Sequence, residues 1–149
     1  MTIDDLKAEA AHLILPAFTE ADALRLGAAL VAAATDRALP VVISIRAPNR
    51  TFFHAALPGS SANNDHWARR KGNTALFFGT ASLLQRLLHE ERGYTLARSG
   101  LPDADYALSG GAVPIVVRGA GMVAVATVSG LPDTEDHAMV AAAIRAMIG

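Results

Sequence analysis

The chain has 149 residues, 13 basic and 14 acidic side chains, and no cysteine. That length suits a single domain over residues 1–149, long enough to bury about 70% of its unfolded surface. The composition excludes a disulfide frame, thiolate metal sites and a cysteine nucleophile, and a net charge of −1 argues against a dedicated nucleic-acid surface.

Thr2-Ile3-Asp4-Asp5 has capping-box spacing and predicts a helix to about Ala11. His12–Leu15 is a short apolar run ended by Pro16, which reads as a strand. Thr19-Glu20-Ala21-Asp22 is a second capping box, and the helix behind it places Leu24, Gly27, Ala28 and Val31 on one face. Val41–Ile45 is β-branched and predicts a buried strand. A turn at Ala47–Arg50 returns it as a hairpin through Thr51–Leu57.

Asn64–Phe78 has helical spacing, with Trp67, Lys71 and Ala75 on one face. Ala81–Arg92 is a second amphipathic helix, closed by Gly93. Tyr94–Gly111 is polar and turn-rich, which predicts an irregular, mobile segment. Val113–Val117 and Met122–Val128 read as strands joined by a tight hairpin at Arg118–Gly121. Pro114 has no N–H, so it belongs at a strand start or a sheet edge. Asp133 and Thr134 cap a last helix that buries Val140, Ala141, Ile144 and Ile148. Two hairpins with flanking helices predict an α+β domain on an antiparallel sheet.

Two stretches are dense in chemistry. Asn63 to Lys71 packs Arg69, Arg70 and Lys71 beside Trp67, and an Arg/Lys face next to an aromatic ring suits a carboxylate or phosphate on a flat ligand. The plainer alternative is a solvated basic turn with Trp67 as an anchor. Ser129 to His137 runs from a strand into a helix N-terminus, where exposed amides favour anions and keep His137 neutral, able to act as a base or ligand. Its plainer alternative is a cap formed by Asp136. Gly110-Gly111 would let a ligand approach the backbone, or would simply supply a turn. No pair of histidines has zinc spacing, so no preformed metal site is expected. No serine stands in a Gly-x-Ser-x-Gly elbow, which argues against a serine hydrolase.

Phe52–Gly59, Asn64–Lys71, Gly110–Ile115 and Val128–Leu131 with Asp136-His137 come in an order that resembles the haem-degrading domain family, which includes GlcG-like and haem-binding-sensory-protein-like members. The resemblance is to the branch with an Asn-x-x-Trp-x-x-Arg-Lys motif, here Asn64, Trp67, Arg70 and Lys71. It implies about five antiparallel strands with helices on the faces, related to profilin-like folds. It also implies homo-oligomers, and haem as the candidate cofactor.

The composition agrees with self-association, since 52% hydrophobic and 18% charged residues leave apolar surface to cover. The acidic opening lacks the order of a signal peptide, so a cytoplasmic location with no membrane contact is expected. The expected function is a small-ligand-binding homo-oligomer, with haem or a similar anionic molecule as ligand and catalysis left open. The alternative is a non-enzymatic oligomeric scaffold. The candidate ligand-binding residues are Asn64, Trp67, Arg70, Lys71, Gly110, Gly111, Ser129, Asp136 and His137. Lys71 and Asp136 are expected to pair if the two stretches converge.

Overall fold

A computed structural model describes residues 1–148. Its elements run α1 (Ile3–His12), β1 (Ile14–Leu15), α2 (Glu20–Asp36), β2 (Val42–Ala47), β3 (Arg50–Ala56), α3 (Ala62–Phe78), α4 (Ser82–Arg92), β4 (Ala112–Val117), β5 (Gly121–Ser129) and α5 (Asp133–Ile148). A single 3-10 turn at Leu96–Ser99 lies between α4 and β4. Both capping boxes form: the Thr2 N–H donates to Asp5 at 2.8 Å and the Thr19 N–H to Asp22 at 2.7 Å. Each satisfies an amide that the first helical turn leaves unpaired. Thr19→Ala should therefore lower stability by about 1 kcal/mol in urea unfolding. Thr35→Ala, in the last turn of the same helix, should be nearly silent.

The strand order is β1-β4-β5-β2-β3. The β2–β3 and β4–β5 hairpins are antiparallel as expected, and β2 also pairs antiparallel with β5. The sheet as a whole is mixed, which corrects the expectation of a purely antiparallel one. β1 runs parallel to β4, with Ile14 opposite Val116 and Leu15 opposite Val117. A parallel pair needs a crossover connection, and here α2, the first hairpin and both middle helices supply it. Two residues ended by Pro16 carry no alternation from which that direction could be read. β1 reaches only the last residues of β4, so Pro114 is paired with β5 alone. It occupies a sheet edge, as its missing donor requires.

Alternation along the central strands separates two layers. Ile43, Ile45, Ala124, Ala126 and Val128 pack on Leu26, Leu30, Val140 and Ile144 of α2 and α5. On the other face Val125 and Ala112 pack on Ala75 of α3. α1 and α4 close one side through Leu6, Leu83 and Leu84.

Two faces differ from the sequence reading. α2 buries Ala23, Leu26, Gly27, Leu30 and Ala34, while Leu24 is 57% exposed. This Ala-rich helix carries two apolar stripes, and Gly27 selects between them. A Cβ there would lie 2.4 Å from the Phe53 ring, so this stripe sits flush on β3. On α5, Val140, Ala141 and Ile144 are buried but Ile148 is 39% exposed, beyond the end of the sheet layer. Among the described residues, no helix is long and apolar enough to cross a membrane.

Candidate functional site

α3 buries the small residues Ala68, Gly72, Thr74 and Ala75, and carries one charged side chain, Lys71, into the same stripe. The Lys71 side chain is 2% exposed. Its ammonium donates to Gly110 O at 2.8 Å, Val128 O at 2.9 Å and Asp136 Oδ2 at 3.1 Å. Three donors meet three acceptors, so the protein itself saturates the ammonium. Asp136 is equally buried and also accepts from the backbone N–H groups of Leu131 at 3.0 Å and Gly130 at 3.3 Å. One side chain of α3 thus joins the entry of β4, the end of β5 and the first turns of α5. The two layers of the fold are locked together at one end of the sheet.

Gly111 makes room for the lock. It has φ +133°, and a Cβ there would stand 2.4 Å from Lys71 Nζ and 2.4 Å from Val128 O. Burial pulls the Lys71 ammonium below its ordinary value, opposed by the charges of Asp136 and Asp133. Burial likewise pushes the Asp136 carboxyl up, opposed by Lys71 and the two backbone donors. The hydrogen-bond pattern matches the ionised pair: a neutral amine has too few protons for its three acceptors.

The lock forms the floor of an open polar recess. Asn63, Asn64 and Trp67 of α3, Ser109, and Ser129, Leu131 and Asp133 at the β5–α5 turn surround it. Its volume is about 490 Å³ measured out to the mouth. Asn64 is also a cap, its Oδ1 accepting from the Ser61 N–H at 2.9 Å. Trp67 and Ser109 are shared with a second recess, lined further by Arg70, Tyr94, Asp103 and Tyr106.

The three cations of α3 have three fates. Arg69 donates to Ala104 O at 2.9 Å and pairs with Asp105 at 3.1 Å. Arg70 lies over the Trp67 ring at 4.5 Å and donates through Nε to Asp103 O at 2.7 Å. Among the described residues its two Nη groups have no protein acceptor. Lys71 is enclosed. Asn73 and Thr74 add bonds to Asp105 O and Ala107 O, so the irregular segment before β4 is fastened to α3 along its second half.

Of the candidate residues, Asn64, Trp67, Lys71, Ser129 and Asp136 come together at the first recess. Gly110 and Gly111 bear on it through Lys71, and Arg70 lines the adjoining one. His137 does not join them. One residue on from Asp136 along α5, it points to a different cavity, where Nε2 stands 2.6 Å from Glu9 Oε1. Asn63, which opens the α3 stretch read from the sequence, also lines the first recess. Ser109, Tyr94, Tyr106 and Glu9 are not singled out by the sequence, because they approach only through tertiary packing. Among the described residues no group of three or more His, Asp or Glu could hold a metal ion.

Comparisons with known proteins follow the same architecture. The family described as haem-degrading protein HbpS-like matches residues 18–145. A UPF0303 protein of Streptomyces avermitilis is 44% identical over 145 residues, covering 97% of this chain and 89% of the relative. The crystal structure of Ybr137w protein superposes with a TM-score of 0.88 at 31% identity, covering 99% of this chain and 88% of that one. The PduOC:Heme complex superposes with a TM-score of 0.73 at 23% identity, covering 87% of this chain and 94% of that one, a likeness in fold alone.

Proposed function

The chain belongs to the HbpS-like haem-degrading protein family, and from that membership and the recess geometry we propose that it is a homo-oligomer binding a flat anionic molecule, haem included, at Trp67. The carrying observation is the stacked Trp67–Arg70 pair at the wall shared by two recesses. The indole offers a face to a planar ligand, and the free Nη groups of Arg70 offer a fork to a carboxylate. Lys71 serves the site from beneath: locked to Asp136, it fixes the recess floor and leaves anion contact to Arg70.

Haem fits this site at its edge better than at its iron. Arg70 suits a propionate, and Trp67 with Tyr94 suits the macrocycle. No histidine lines either recess, and Tyr94 and Tyr106 are the only tyrosines that do. No reaction step is assigned to the group. Haemin should therefore bind weakly and exchangeably. In an absorbance titration, Trp67→Ala and Arg70→Ala should each weaken it by about tenfold, from lost stacking and a lost charge-assisted bond. His54→Ala, His66→Ala and His137→Ala should leave it unchanged. Tight binding abolished by one histidine variant would overturn the assignment.

Self-association rests on a separate surface. β3 is an outer strand, and Ala28, Val31 and Ala32 of α2 form with Phe53 an apolar groove beside exposed Leu24. An outer strand with an apolar flank offers both backbone pairing and burial to a second copy. Light scattering at micromolar concentration should report at least twice the 15.5 kDa chain mass. A monomer would contradict it.

A further inference from the structure

The turn from β5 into α5 carries backbone amides of the kind that hold anions, but the chain spends them on itself. The Leu131 and Gly130 N–H groups donate to Asp136 at 3.0 and 3.3 Å, and those of Glu135 and Asp136 donate to Pro132 O at 2.9 and 3.0 Å. The Gly110 N–H donates to Asp133 Oδ2 at 2.9 Å, which also faces Arg86 Nε at 2.7 Å. Lys71 is saturated by its own three acceptors. The charged side chains lining the first recess are therefore one enclosed ammonium and the carboxylates of Asp133 and Asp136, a balance that does not attract a further anion.

What stays unpaired around this recess is neutral. Asn64 uses its Oδ1 on Ser61 and keeps Nδ2 free to donate. Among the described residues the Asn63 amide and the Ser109 and Ser129 hydroxyls have no hydrogen-bond partner, and all three side chains line the recess. Ser129 is only 3% exposed. The unpaired side-chain atoms that are sealed from solvent lie elsewhere, at Arg86 and His137, so the Ser129 hydroxyl keeps access through the recess it lines. Two amides and two hydroxyls supply both donors and acceptors. The Trp67 ring borders the same space, and an aromatic wall suits the C–H face of a ring with a hydroxylated edge. At about 490 Å³ the recess has the size of a small-molecule site. We propose that the first recess binds a neutral cyclic polyol, a sugar ring or a cyclitol, held by Asn63, Asn64, Ser109 and Ser129 against Trp67. Arg70 lines only the adjoining recess, so this site does not depend on the flat-anion reading.

Glucose, myo-inositol and cyclohexanol test this directly, since they share a six-membered ring and cyclohexanol has a single hydroxyl. Each is titrated into the full chain and followed by the Trp67 indole signal and the amides of Asn64, Ser109 and Leu131. At least one of the two polyols should move these signals saturably, and cyclohexanol should bind about tenfold or more weakly, having lost several hydrogen bonds. Asn63→Ala removes an exposed side chain that makes no bond within the chain, so the fold survives it. It should weaken the polyol about threefold to tenfold, the value of one net hydrogen bond, and Ser129→Ala should do the same. A loss in either variant supports the site. Absence of saturable shifts with both polyols would overturn the proposal. So would cyclohexanol binding as well as the polyols, or a polyol affinity that both variants leave unchanged. Haemin binding through Arg70 is read by absorbance and stands or falls separately.

Discussion

Lys71→Met should lower the unfolding free energy by about 3–5 kcal/mol, and Asp136→Asn should do nearly as much, because each leaves the other charge buried and uncompensated. The double variant should lose no more than either single one, giving a coupling energy at least as large as a single loss, about 3–5 kcal/mol, in a double-mutant cycle by urea unfolding. The expected pH dependence follows from the burial of both groups. Burial holds Asp136 above its ordinary value of 3.8, so its contribution is present below that value and lost as pH rises through the folded one. Burial holds Lys71 below its ordinary value of 10.5, so its contribution is present above that value and lost as pH falls. Across the neutral range neither ionisation stabilises the fold. The pair is retained for the arrangement it fixes: α3 against the β5–α5 turn, with the recess between them. Losses that simply add in the double variant would contradict this.

Gly111→Ala should be comparably severe, at about 3 kcal/mol or more. A backbone at φ +133° is open to glycine and strained for other residues, which costs about 1–3 kcal/mol. The added methyl would also meet Lys71 Nζ and Val128 O at 2.4 Å, and overpacking of that kind costs a further 1–3 kcal/mol or so. Gly79→Ala is the control. Gly79 has φ +70° and nothing within 4 Å of its would-be Cβ, so only the left-handed backbone penalty of about 1–2 kcal/mol applies. Thermal unfolding of the two variants should separate them clearly, and equal losses would show that Gly111 serves only as a turn.

These residues also show how far the sequence could be read. Capping boxes at Thr2 and Thr19 and the two hairpins are local signals, and their elements follow from them. The parallel β1–β4 pairing is not local, and two residues carry no periodicity that could announce it. The pairing of Lys71 with Asp136 was legible as a juxtaposition of two polar motifs. The burial of the pair was not, because nothing local says that Gly111 would yield its side-chain volume to an ammonium. His137 shows the opposite failure. It adjoins Asp136 in sequence, yet successive helical residues point about 100° apart, and that rotation sends it to Glu9 and another cavity.

The sole tryptophan provides the most direct test of the ligand site. Its indole N–H gives one unambiguous signal in a proton–nitrogen spectrum. The measurement is a titration of the native chain with metal-free protoporphyrin IX, which keeps the flat ring and both carboxylates and removes the iron. A site that recognises the edge and face of the ligand predicts saturable movement of the Trp67 indole signal together with the amides of Asn64, Ser109 and Leu131, at an affinity within a few fold of haemin. An indole signal that stays fixed while other parts of the chain respond would contradict it.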